Sequence, residues 1–200
     1  MKNKLFLNKK VICLLLLVLE VCGCVTTAPQ SNFYIFDSLA QRPISSTPFS
    51  KNILIGPVRV PSYVDRPNIV TRNGNNQLHL AEFHRWAAPL AENITAVLVK
   101  DLSTLLNTPH VAYYLNQKGR KWDYRIEIDI VKMHGWLGQK ALLEAHWTIY
   151  KIGSRQPIFS KISTFQEDIN GPEYSDLVEA WNRTLLSLST EIAKKLLEFS

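Results

Sequence analysis

The chain has 200 residues, 46% hydrophobic and 20% charged, which suits one packed domain and excludes wholesale disorder. Ten prolines and eight glycines exclude collagen-like and low-complexity chains. The formal charge of +6 and the three cysteines invite polyanion binding or a disulfide, until the N-terminus is set apart.

Lys2, Lys4, Lys9 and Lys10 precede an unbroken apolar run from Val11 to Leu19, closed by Glu20. A basic segment before a short apolar one reads as a secretory signal. The run is too short for a bilayer core, which takes roughly 20 helical residues. Val21-Cys22-Gly23-Cys24 follows and resembles the lipobox of bacterial lipoproteins. That resemblance implies cleavage after Gly23 and acylation of Cys24. Cys22 fits less well, because Val21 would occupy the small-residue position. The alternative is an ordinary signal peptide that happens to end in a cysteine. Val25 after the cysteine resembles outer-membrane sorting. Loss of residues 1–23 removes four lysines and one glutamate, leaving 177 residues and lowering the formal charge from +6 to +3. Cys13 and Cys22 leave with it, so the mature chain is expected to have neither a disulfide nor a free thiol.

Residues 24–31 are short, polar and Pro-containing, and read as a tether. A single domain is expected over 32–200. Phe33 to Phe36 predicts an aromatic strand. Ile53 to Val60 predicts another, with Gly56-Pro57 marking an edge or a bulge. Asn73-Gly74-Asn75-Asn76 predicts a hairpin between Ile69–Arg72 and Gln77–Leu80. A helix should begin near Pro89 and end near Asn107. It places Leu90, Ile94, Val97, Leu98 and Leu105 on one side and Glu92, Asn93 and Lys100 on the other. Trp122 to Met133 alternates cleanly between apolar and charged residues, as a half-buried strand does. Leu143, Ala145, Trp147 and Ile149 repeat the pattern, and Ile158 to Phe165 adds a third strand. After Asn170-Gly171-Pro172 a long helix carries Tyr174, Leu177, Val178, Trp181, Leu185, Leu188, Ile192 and Leu196 in one stripe. The expected fold class is α+β: a two-layer sandwich, two main helices on one face of a mostly antiparallel sheet.

Motifs for phosphate loops, serine hydrolases, zinc proteases and dinucleotide folds are absent from the sequence. His79, Glu82 and His84 lie close together, but on an extended strand His79 points away from the other two, so no metal site is expected. Glu127, Asp129 and Glu144 fall on the wet strand face, where paired carboxylates lack the desolvation that acid–base work needs. Arg59, Arg66, Arg72 and Arg85 accompany Tyr63 and Trp86. These residue types dominate protein interfaces, and a secreted, lipid-tethered domain has little occasion to meet nucleic acid. Arg66, Arg72, Arg85 and Trp86 are therefore the candidate partner contacts, while Asp65-Arg66-Pro67 can equally serve to fix a turn. The glycosylation sequons at Asn93 and Asn182 fall on predicted helices and are read as chance.

Pro61-Ser62-Tyr63-Val64-Asp65-Arg66-Pro67-Asn68-Ile69-Val70-Thr71-Arg72 resembles the signature of the ABC-type transport auxiliary lipoproteins, the PqiC-like intermembrane transport lipoproteins. Glu82-Phe83-His84-Arg85-Trp86-Ala87-Ala88-Pro89-Leu90 continues the resemblance, with Ala88 where relatives carry Glu. The aromatic strand, the lipobox and the last helix also fit. The resemblance implies a fold similar to the N-terminal domain of the TolB protein. It further implies an outer-membrane lipoprotein facing the periplasm, working with an MCE-domain protein in phospholipid transport, and a possible homo-oligomeric ring. It brings no catalytic residue and no cofactor. A periplasmic hydrolase with an unrecognised site and a purely structural envelope lipoprotein remain as alternatives.

Overall fold

Alternating apolar residues build most of the chain into sheet, and two long apolar stripes supply the helices that cover it. The computed structural model describes residues 29–74, 76–115 and 121–199. The expected signal segment, Cys24 and most of the tether lie outside them. The elements run β1 (Asn32–Tyr34), β2 (Ile53–Arg59), β3 (Asn68–Asn73), β4 (Gln77–Trp86), α1 (Leu90–Leu105), β5 (Val111–Tyr113), β6 (Tyr124–Trp136), β7 (Lys140–Lys151), β8 (Pro157–Asp168) and α2 (Tyr174–Leu197). They form an α+β fold.

The strands make two sheets where the sequence pattern suggested one. Five strands order as β5-β2-β6-β7-β8 and three as β1-β4-β3. The long pairings β6/β7, β7/β8 and β3/β4 are antiparallel. The short ones, β1/β4, β2/β5 and β2/β6, are parallel, as follows when a chain segment lies between the paired strands. Strand β5 escaped the sequence reading because three residues carry no measurable alternation.

In the larger sheet Ile53, Ile55, Ile126, Ile128, Leu143, Ala145, Trp147 and Ile149 are buried. Helix α1 packs against β2 and β5, α2 packs against β7 and β8, and the two helices pack on each other. Each fully buried Leu, Ile or Val adds roughly 1.5–3 kcal/mol to the driving force. Gly56-Pro57 marks a register shift in a strand paired on both sides, so of the two expected roles it takes the bulge. Strand β6 has a second shift at Val131, beyond which Met133 and Gly135 turn inward. Gly135 lies in this strand, where Leu177 and Trp181 press on it. A Cβ there would sit 2.6 Å from Leu177 Cδ1.

Asn93 is buried, contrary to its expected place on the solvent side of α1. The reason is a crossing segment from the N-terminal side. Asn93 Oδ1 accepts the Phe36 N–H at 2.7 Å, and its Nδ2 donates to the Phe36 carbonyl. Asn182 on α2 accepts the Asp37 N–H at 3.2 Å. Asp101, fully buried, accepts from the Ser38 hydroxyl at 2.6 Å, the Ala40 N–H at 3.2 Å and the Ser189 hydroxyl at 3.0 Å. Residues 36–40 are thus pinned to both helices by polar side chains that would otherwise be costly to bury.

Candidate functional site

The two sequence signatures, about twenty residues apart, fold into one place. In the first, the Val64 and Asp65 N–H groups both donate to the Pro61 carbonyl, at 3.0 and 3.1 Å, and the Arg66 N–H donates to the Val64 carbonyl. Pro61 and Pro67 bracket this turn, while Val64 is buried beneath it. The Tyr63 hydroxyl oxygen accepts the Met133 N–H at 3.0 Å, tying the turn to the bulged stretch of β6. The second signature joins through the Trp86 N–H, which donates to the Pro67 carbonyl at 2.7 Å.

Between them lies an open groove of about 400 Å3, lined by Asp65, Arg66 and Pro67 on one side and by Trp86 through Leu90 on the other. Trp86 is only 6% exposed. Its ring packs with Phe36 at 4.7 Å and Trp181 at 5.9 Å between centroids, so just its edge borders the groove. Helix α1 starts there, with Pro89 as its N-cap and no side chain capping it. Ala88 brings no charge, so Asp65 and Arg66 are the only ionic groups among the lining residues. Such a lining can hold an extended polypeptide or a polar ligand, but it contains no paired nucleophile and base.

Arg66 and Trp86 therefore meet, while the other two candidates lie elsewhere. Arg72 is half-buried, its guanidinium 5.9 Å from the centre of the Trp136 ring, and it borders a separate depression with His79 and Gln139. Arg85 is exposed, in register with Phe33 of β1. Arg59 bonds Asp129 at 2.7 Å and approaches Glu127, and Lys132 bonds Glu144 at 2.9 Å. The expected wet-face carboxylates are thus committed to surface ion pairs.

His84 turns toward α2 and stacks on Tyr174 at 4.0 Å, with its Nδ1 2.7 Å from the Tyr34 hydroxyl. Burial, with Glu173 and Tyr174 nearby, raises the Tyr34 pKa. Tyr174 is likewise raised by burial, against a hydrogen bond from Thr71 that pulls the other way. Both phenols stay neutral and join the small sheet to the last helix. Among the described residues no group of three His, Cys, Asp or Glu is placed to hold a metal ion.

One pairing was not visible in the sequence. His146 Nε2 lies 2.8 Å from Ser160 Oγ, which is also 3.0 Å from Thr148 Oγ1. The residues come from neighbouring strands, so only the β7/β8 register brings them together. A serine–histidine pair suggests nucleophilic catalysis when a third group orients the imidazole. Here the neighbouring carboxylate, Asp129, is held by Arg59, and the histidine–serine contact lies on an exposed sheet face. It reads as a cross-strand polar contact.

No described helix is long and apolar enough to cross a membrane. The profile described as ABC-type transport auxiliary lipoprotein component matches residues 37–193. Among curated protein sequences, none matches this chain. Among solved structures, an uncharacterized protein aligns with a TM-score of 0.69 at 18% identity, covering 84% of this chain and 99% of its own. A DUF330 protein from Xanthomonas campestris aligns with a TM-score of 0.70 at 17% identity, covering 82% of this chain and 93% of its own. At such identities the likeness speaks for the fold.

Proposed function

The chain belongs to the ABC-type transport auxiliary lipoprotein family, and from that premise we propose that it is the outer-membrane auxiliary of an MCE/ABC-type system moving phospholipid between membranes. Family membership points to an envelope-associated, membrane-anchored lipoprotein and away from an enzyme. The finer reading has residues 1–23 removed, Cys24 acylated, residues 24–31 as tether, and the domain facing the periplasm in a two-layer arrangement similar to the TolB N-terminal domain. Assembly of several copies into a ring belongs to the same reading.

The observation that carries the proposal is the convergence of both family signatures on one groove. The β3/β4 hairpin, with Asn68 in register with Arg85, sets the turn motif against the helix-start motif, and their shared lining gives a partner one surface to recognise. We assign the contact with a periplasm-spanning MCE-domain protein to Arg66 and Trp86 first, with Arg72 and Arg85 as outlying members. An Arg beside a buried aromatic edge is the composition of an interface hot spot. Neither cofactor nor metal is part of the mechanism, which is docking and positioning.

Affinity purification of the acylated chain from solubilised envelopes of its native host tests this reading. The MCE-domain protein should co-purify with the wild-type chain and be depleted by Arg66→Glu. Recovery of the chain without any such protein, under conditions that preserve the envelope complex, would count against it.

A further inference from the structure

At its β1/β4 side the small sheet has one face turned toward α2 and one that no described residue covers. Tyr34, Phe36, His84 and Trp86 turn toward α2, where they meet Tyr174 and Trp181. The opposite face presents Phe33, Ile35, Arg85 and Ala87, all exposed. Phe33 is 64% exposed and Ile35 51%. Both stand on or just beyond an edge strand, where large apolar side chains in water are a liability that proteins ordinarily avoid.

Strand β1 is also the first element after the tether. Only seven peptide units separate Cys24 from Ser31, a reach of at most about 25 Å when fully extended. If Cys24 carries lipid, the strand cannot stray far from the leaflet that holds it. A short flexible linker also makes any second contact with that surface intramolecular, so a weak contact is well populated.

We propose that the face bearing Phe33, Ile35 and Arg85 docks on the phospholipid leaflet in which Cys24 is anchored. Phe33 and Ile35 enter the boundary between headgroups and acyl chains, where an aromatic ring and a branched chain are favoured. Arg85, in register beside Phe33, meets a headgroup phosphate. The inference rests on the reading that Cys24 is acylated. It reassigns Arg85 from the partner to the membrane, leaving the groove at Arg66 and Trp86 free for the MCE-domain protein.

The test uses the full chain, processed in a bacterial host, with Phe33→Cys or Ile162→Cys introduced singly. Ile162 is 62% exposed on the edge strand β8 and serves as the comparison site. With Cys13 and Cys22 removed and Cys24 acylated, the introduced thiol is the one available to an environment-sensitive nitrobenzoxadiazole dye. Mass spectrometry of the N-terminal peptide records acylation independently. The labelled chains are reconstituted in vesicles of about three parts phosphatidylethanolamine to one part phosphatidylglycerol, with or without headgroup-nitroxide lipid.

The expected result is about a twofold or greater nitroxide quenching at position 33 with little at position 162, and its loss when Ile35→Asp and Arg85→Glu are added. An acylated chain whose probe at 33 stays solvated overturns the docking alone. Equal quenching at both sites overturns its face specificity. A probe at 33 shielded from water yet untouched by nitroxide lipid shows that a protein, a second copy or a partner, covers the face, and this too overturns it. An N-terminus without acyl groups overturns the anchor and the docking with it.

Discussion

Replacing Asp101 by alanine tests how the domain holds the segment that leads back to its tether. The carboxylate is fully buried between α1 and α2 and accepts three donors. Two are the hydroxyls of Ser38 and Ser189, which can rotate toward other acceptors and so lose about 0.5–1.5 kcal/mol each. The third is the Ala40 N–H, fixed by the backbone, and leaving it unmet costs about 1–3 kcal/mol. The expected destabilisation of Asp101→Ala is therefore about 2–6 kcal/mol. Urea unfolding followed by tryptophan fluorescence measures it, provided the slope with denaturant stays unchanged. Ser38→Ala and Ser189→Ala should each cost less, and a cycle with Asp101→Ala should give a coupling of about 0.5 kcal/mol or more for each pair. A loss for Asp101→Ala below about 0.5 kcal/mol would refute the idea that this carboxylate pins residues 36–40.

Three further outcomes are expected, two from the structure and one from the lipobox-like sequence. Gly135→Ala places a methyl against Leu177 and Trp181, so unfolding should show a loss of about 1–3 kcal/mol, and the substitution should cost less when made in a Leu177→Ala background. Burial, with the Arg72 and Lys132 charges nearby, holds the His134 pKa below its ordinary 6.5, although Glu144 opposes them. The unfolded chain then binds more protons, so stability is complete above pH 6.5 and declines as pH falls from there toward the folded-state value. His134→Gln should flatten that decline in unfolding curves measured across the window, and an unchanged slope would remove His134 as its source. Cys24→Ala should abolish palmitate incorporation and leave the chain soluble or retained at the inner membrane. Incorporation that persists would point to a different cysteine.

Much of this fold could be read from the sequence because its longest elements obey simple periods. The alternation through Tyr124, Ile126, Ile128 and Ile130 and the stripe from Leu177 to Leu196 each report burial directly, and both are buried as expected. What could not be read is which strand pairs with which. Phe33–Phe36 and Gln77–Trp86 look no different from the strands of the larger sheet, yet they leave it to form their own with β3. Asn93 misled for a related reason. Its polarity suggested water, but its partner is the backbone of Phe36, 57 residues earlier, a contact no local window contains. The groove was half legible. The signature residues were singled out and the hairpin between them was expected, but its bulged register, which sets the Trp86 N–H on the Pro67 carbonyl, and the separation of Arg72 from Arg66 were not legible.

The central claim is that the groove between the two signatures receives a transport partner. Photo-cross-linking from Ala88 in living cells measures it most directly, because Ala88 lines the groove and its replacement by a photoreactive residue spares the buried core. The account predicts one dominant adduct, with an MCE-domain protein, that fades when Arg66→Glu is added. Adducts confined to other partners, or an MCE adduct indifferent to Arg66→Glu, would contradict it.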